Sequence, residues 1–155
     1  PPPRHNFQQV TDYRFTDVAA NSKGQVFYGN YAVVADEGGY YLINGAGEAY
    51  FDARFAHAKG IEEGLFAVAD SSGRWGFANE KAELAVDYQY EDAYSFSNRL
   101  AAVKYAGKWG YINKYGNAVI ETQFRQAWPF LSGNCLVTDD LGNYKVLKLK
   151  YYSLF

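Results

Sequence analysis

Methionine is absent from these 155 residues, and cysteine, histidine and proline number only one, two and four. The single thiol, Cys135, excludes an intramolecular disulfide, so no cysteine framework indicates a compartment. Followed by Leu136 and Val137, it reads as a buried strand residue. His5 falls in an N-terminal tail and His57 in a loop, so no base is identifiable for Cys135 or for Ser71-Ser72. There is no G-x-S-x-G, no glycine-rich phosphate cradle and no H-E-x-x-H. Asp139-Asp140 are adjacent and read as turn residues, not as a spaced pair of catalytic carboxylates. No apolar run approaches the ~18 residues of a membrane span. A basic run is missing too: 15 Lys+Arg stand against 17 Asp+Glu, which argues against a nucleic-acid partner. The expectation is a protein that is not an enzyme and needs no cofactor. The chain opens at Pro1-Pro2-Pro3 without a methionine, so its natural start is expected to lie upstream, with room there for a targeting segment.

Aromatic residues, by contrast, make up 19% of the chain, 15 of them tyrosine, and they are periodic. One aromatic column runs Tyr40, Trp75, Trp109, Tyr144, at spacings of 35, 34 and 35. A second runs Phe55, Tyr90, Phe124, with Phe15 as an earlier member. Three residues after each lies a small apolar position: Val18, Ala58, Ala93, Ala127. An acidic column (Asp12, Asp52, Asp87, Glu121) and an Asn column (Asn44, Asn79, Asn113) keep the same period. Such self-similarity marks a repeat architecture.

Within the clearest unit, 99–133, the pattern is β. Leu100 to Lys104 is a short apolar strand, and Ala106-Gly107 a turn. Lys108 to Asn113 is an aromatic and β-branched strand. Lys114 to Asn117 is a second turn, and Ala118 to Glu121 a third strand. The rest, 122–133, reads as a loop with an apolar skeleton of Phe124, Ala127 and Phe130, and Pro129 disfavours a helix there. No window carries ten residues of helical periodicity.

Lys108-Trp109-Gly110-Tyr111-Ile112-Asn113 and Arg74-Trp75-Gly76-Phe77 resemble the core of the bacterial WG, or KWG, repeat. That resemblance is strong over 64–133 and weaker at both ends, where Tyr40-Tyr41 and Tyr144-Lys145 replace Trp-Gly. It implies an all-β fold, a tandem array of about four antiparallel hairpin or three-strand repeats without substantial helix. It names no reaction.

The division reads as a tail, 1–9, and a repeat domain, 10–155. The domain comprises a half-unit 10–29 and units 30–63, 64–98, 99–133 and 134–155. The segment 19–30 is an insertion, since Phe15 to Phe55 spans 40 residues against 35 for Phe55 to Tyr90. In the last unit Tyr151-Tyr152 stands where a turn glycine is expected, and Leu154-Phe155 is the expected third-strand pair. Two arrangements fit: an open superhelix, or a propeller-like closure in which the N-terminal half-unit pairs with the last hairpin. The repeat core is expected at Tyr40, Trp75, Trp109, Tyr144, Phe55, Tyr90 and Phe124, with Gly76 and Gly110 marking a close backbone approach. The acids are expected to cap turns and not to hold calcium, because one carboxylate per 34–40 residues is no ligand set.

Function is expected to be binding. A stiff array offers loops, edges and rings to a protein partner. The alternative is a glycan- or cell-wall-binding module using exposed aromatics. Tyr28, Tyr94, Tyr105, Tyr115 and Trp128 lie outside the shared columns and are the candidate contact residues. The resemblance to WG repeats favours a bacterial extracytoplasmic location, periplasm or cell surface.

Overall fold

The computed structural model describes residues 6–150. Expectations for His5 and for 151–155, including Leu154-Phe155, fall outside them. Among the described residues there are fifteen strands and no helix, arranged as four antiparallel sheets.

The second and third sheets show the plan. In the second, β5 (His57–Ala58), β6 (Leu65–Ala69), β7 (Trp75–Asn79) and β8 (Leu84–Tyr90) pair in sequence order. The third repeats it with β9 (Asp92–Ala93), β10 (Ala101–Tyr105), β11 (Lys108–Ile112) and β12 (Ala118–Phe124). The fourth has three strands, β13 (Gln126–Ala127), β14 (Asn134–Thr138) and β15 (Tyr144–Lys148). In the first, β3 (Tyr31–Asp36) carries β4 (Gly39–Ile43) on one edge and shares its other edge between β1 (Asp17–Ala19) and β2 (Phe27–Tyr28). The insertion 19–30 thus supplies β2. The half-unit completes the first sheet through β1, and no strand of that sheet pairs with the last one among the described residues. His57, expected in a loop, is on β5, and the expected loop 122–133 is partly strand.

The two aromatic columns are cross-strand partners. Trp75 lies opposite Tyr90, Trp109 opposite Phe124, and Tyr40 opposite Phe55. Beyond each Trp the register slips: Trp109 faces Phe124 but Tyr111 faces Ile120. The surplus backbone of β12 folds over Gly110, where a Cβ would sit 2.5 Å from the Ile120 carbonyl oxygen. Gly76 stands in the same relation to Val86 O, at 2.4 Å. Trp-Gly is therefore one device: the ring pairs across the sheet and the missing side chain admits a bulge. In the first sheet Tyr41 replaces that glycine, and the fourth strand is reduced to two isolated bridges, Tyr40 to Phe55 and Ile43 to Ala49.

The turns are also copies. Asn44 Oδ1 accepts from the N–H groups of Ala46 and Glu48, at 2.9 and 3.0 Å. Asn79 and Asn113 do the same for Lys81/Glu83 and Tyr115/Asn117. So do Asn21, Asp70 and Asp139 in their own loops. The Asn column is thus an acceptor column; positive φ falls three residues later, at Gly47, Ala82 and Gly116. The acidic column does not cap turns as expected: Asp87 and Glu121 project from β8 and β12 as exposed strand residues. Asn113→Ala is expected to cost about 1 kcal/mol through the loss of two hydrogen bonds to exposed N–H groups, and Asn113→Asp much less, since Asp70 and Asp139 already do this work. Urea midpoints of the two variants would check it.

Sheets stack face to face. Val33, Leu42, Phe66 and Val68 fill the space between the first and second, and Ala67, Phe77, Val103 and Ile112 that between second and third. Trp109, Tyr111, Phe130 and Val137 fill the last gap. The outer face of the first sheet (Ala32, Val34, Tyr41, Ile43) is covered by Phe15 and Val26.

Candidate functional site

The four short first strands, β1, β5, β9 and β13, carry the small apolar column, and they converge. The residue immediately after each column member is Ala19, Lys59, Tyr94 or Trp128, and all four line one groove of about 860 Å³. One repeat position therefore presents four different side chains to a common space. Small residues behind it let the short strands approach: Ala93 and Ala127 are buried.

Lys59 sits at the centre of the charge pattern. Its ammonium donates to the Ala93 carbonyl and lies 5.1 Å from the Trp75 ring centroid and 5.5 Å from that of Tyr94. The groove's acids are engaged elsewhere: Asp17 accepts from the Tyr40 hydroxyl, and Glu62 from the N–H and Oγ of Ser22. Burial lowers the Lys59 pKa, against a smaller opposing pull from Asp92. The folded pKa then lies below the ~10.4 of a free lysine, so between the two values the unfolded chain binds more protons and stability rises with pH. Lys59→Met is expected to remove that rise, as urea midpoints on either side of this window would show.

Trp128 belongs to two surfaces. With Pro129, Leu136, Tyr144 and Val146 it also lines a recess of about 490 Å³ on the outer face of the last sheet. Leu136 pairs with Val146 and Thr138 with Tyr144, so strand alternation places these four on one face. Among the described residues most of this face is uncovered: Leu136 is 44% exposed, Tyr144 63% and Val146 64%, while Thr138 is buried. Trp128 stacks against Tyr144 with ring centroids 6.0 Å apart. Asn134 is the polar residue of the recess, and its amide donates to the Ser132 carbonyl.

Tyr144 was expected in the core with Tyr40, Trp75 and Trp109. Trp109 is buried at 8%, and Tyr40 and Trp75 are half-buried. Tyr144 is not, because no described strand pairs with β15 on that edge and no described sheet lies over it. Phe55, Tyr90 and Phe124 are buried. Of the five candidate contact residues, the fold brings together Tyr94 and Trp128. Tyr94 leans on Trp109 at 5.3 Å. Tyr28 packs among Val33 and Leu42 between the first two sheets. Tyr105 and Tyr115 are exposed but outside the groove, Tyr105 on a separate pocket of about 240 Å³. Cys135 is buried in β14, where the Tyr111 hydroxyl meets its sulfur at 3.2 Å; burial raises the pKa of both groups. Lys59, Leu136 and Val146 were not singled out from sequence. The available signal was positional: Lys59 occupies the column that holds Tyr94 and Trp128. Among the described residues no group of three or more His, Cys, Asp or Glu is placed to hold a metal ion. No helix there is long and apolar enough to cross a membrane.

The family model of the WG containing repeat matches residues 75–109 and 109–140, two repeats in tandem. No curated protein matches the sequence. Among solved structures, BamB from Moraxella catarrhalis, a β-propeller protein, is similar with a TM-score of 0.53 at 13% identity, over 84% of this chain. This chain spans 45% of that one. The computationally designed Ika4 protein is similar at 0.56 and 11% identity, over 93% of this chain and 99% of its own. Hsv2 from Kluyveromyces lactis is similar at 0.52 and 12%, over 88% and 46%. At such identities the likeness is one of fold: propeller-like repeats, all-β and antiparallel, with no closed barrel.

Proposed function

We propose that these repeats form a non-catalytic scaffold that binds a protein partner at the groove mouth and the bare face beside it, in a bacterial envelope or secreted assembly. The observation that carries this reading is the apolar continuity around Trp128. Groove and recess meet at Trp128 and Pro129, and Leu136, Tyr144 and Val146 extend the surface outward. An exposed apolar surface of this kind suits a protein contact, and Trp and Tyr suit it because their rings have an apolar body and a polar tip. The envelope setting rests on the likeness to WG repeats.

A glycan reading draws on the stacked pair of Trp128 and Tyr144. It is the weaker one. A sugar needs several hydrogen-bonding groups beside the ring, whereas aliphatic Leu136 and Val146 occupy the recess and Asn134 is its one amide, with one N–H already given to the Ser132 carbonyl. The test is protein capture by the domain, wild type against Val146→Lys, run beside a glycan array. Capture that Val146→Lys abolishes supports the proposal. Glycan binding without capture, or capture indifferent to Val146→Lys, overturns it.

A further inference from the structure

Lys59 is a half-buried cation without a counter-ion. It follows β5 directly, and its ammonium is held by the Ala93 carbonyl and lies beside the rings of Trp75 and Tyr94. Among the described residues it makes no ion pair. Asp92 pulls on it electrostatically, but Asp92 is exposed and its Oδ1 accepts from the Ala93 N–H. The other charged residues of the groove gather round the insertion. Glu62 accepts from Ser22, next to Lys23, and Asp17 accepts from Tyr40. The lining residues between Tyr94 and Leu131, from the third and fourth sheets, carry no charge. Their polar groups are able to donate. The Trp128 indole N–H, the Tyr94 hydroxyl and the Ser95 hydroxyl have no hydrogen-bond partner among the described residues. An ammonium that has exchanged water for two rings and one carbonyl gains most from a carboxylate.

We propose that the groove receives an extended segment of the protein partner, whose Asp or Glu side chain pairs with Lys59 while its apolar neighbours lie against Tyr94 and Trp128. The inference rests on the protein-binding reading above and names the partner's chemistry. Charge selects the acid. A basic segment would bring like charge to Lys59, and a wholly apolar one would bury the ammonium further with nothing to offset it. Extent selects a chain over a free anion. The groove passes the first strands of all four sheets. With stacked sheets about 10 Å apart and ~3.3 Å per residue of extended chain, it suits roughly six to nine residues. Away from Lys59 it is lined by apolar side chains such as Ala58, Phe130 and Leu131, which a free anion would leave uncovered. At Trp128 and Pro129 it opens onto the exposed surface of the last sheet, where the rest of the partner has room.

The test selects binders to the wild-type domain from displayed random peptides of about ten residues, a length set by the groove. The recovered peptides are expected to share an Asp or Glu with apolar residues on either side. Replacing that acid by its amide should weaken binding about tenfold or more, the range for losing a hydrogen bond to a charged group. Lys59→Met should cost a similar factor, and Lys59→Arg should retain part of the affinity. Lys81→Met removes an exposed lysine from a turn outside the groove and should bind as the wild type does. The amide change lies in the peptide, so it decides even where a Lys59 variant folds poorly. No peptides, peptides without a common acid, or affinity indifferent to the amide and to Lys59→Met overturn the inference. Displacement of the peptide by free glutamate at an equal concentration does so too, because the groove is then a small-anion site. Protein capture that depends on Val146 but ignores Lys59→Met excludes the groove while the protein-binding reading stands. A domain that captures nothing and selects no peptide removes both.

Discussion

Trp109→Ala is expected to destabilise the protein by about 3–5 kcal/mol, the range for emptying a buried large aromatic site. Its ring lies opposite Phe124, under Tyr94, in the cluster that joins the third and fourth sheets. Removing it opens a cavity bounded by two sheets at once, and neither is free to collapse without dragging its strands out of register. For a chain of this length each kcal/mol moves the midpoint by about 2–4 °C, so a fall of roughly 10 °C is expected. Tyr144→Ala is the matched control. It occupies the same repeat column but stands 63% exposed, and its cost should stay within about 0.5 kcal/mol. Paired thermal melts decide the matter. Equal losses at the two positions would mean that column membership, and not burial, sets the energy.

Gly110→Ala should be at least as damaging as a typical overpacked core site, about 3 kcal/mol or more. The added methyl meets Ile120 O at 2.5 Å, Thr122 N at 2.7 Å and the Glu121 carbonyl carbon at 2.8 Å. All three are backbone atoms of a paired strand, so no flexible side chain can swing away. Relief requires straightening the bulge, which moves every residue from Ile120 to Phe124 relative to Trp109. Gly107→Ala separates this effect from ordinary glycine behaviour. Gly107 has a φ of 80° with nothing within 4 Å of the added carbon, so its cost is the left-handed backbone alone, about 1 kcal/mol. Denaturant unfolding that ranks Gly107→Ala as the worse variant would refute the bulge as the reason for Trp-Gly.

Much of the scaffold was legible because its determinants are local and repeated. Turn pairs such as Ala106-Gly107 and the strands around them follow from side-chain type. The five columns announced the period. What the columns do was harder to read. Tyr40, Trp75 and Trp109 and their partners Phe55, Tyr90 and Phe124 recur with equal spacing whether they meet across a strand pair or between units, and period alone does not separate the two. The extension of β12 through Phe124 was missed for a related reason: a bulge over Gly110 spends extra residues, so the strand outlasts its regular alternation. The groove was illegible for a different cause. Ala19, Lys59, Tyr94 and Trp128 share no chemistry, and a column search looks for sameness. Their common role lies in the position following the small apolar residue. Tyr144 shows the converse limit: it keeps the column's chemistry, yet its burial depends on a neighbouring sheet that its own sequence does not specify.

Sheet and sequence unit are out of step along this chain. His57 and Asp92 open sheets some seven residues before Gly64 and Arg99 open the corresponding units, so each hydrogen-bonded layer borrows its first strand from the preceding copy. The consequence is genetic. A gene of this design lengthens or shortens by unequal crossover at any nucleotide, provided the step equals one full period. The splice rejoins a strand to the counterpart, one sheet along, of the neighbour it had. Natural variation in repeat number therefore requires no favoured breakpoint, and selection is left to act on the two ends.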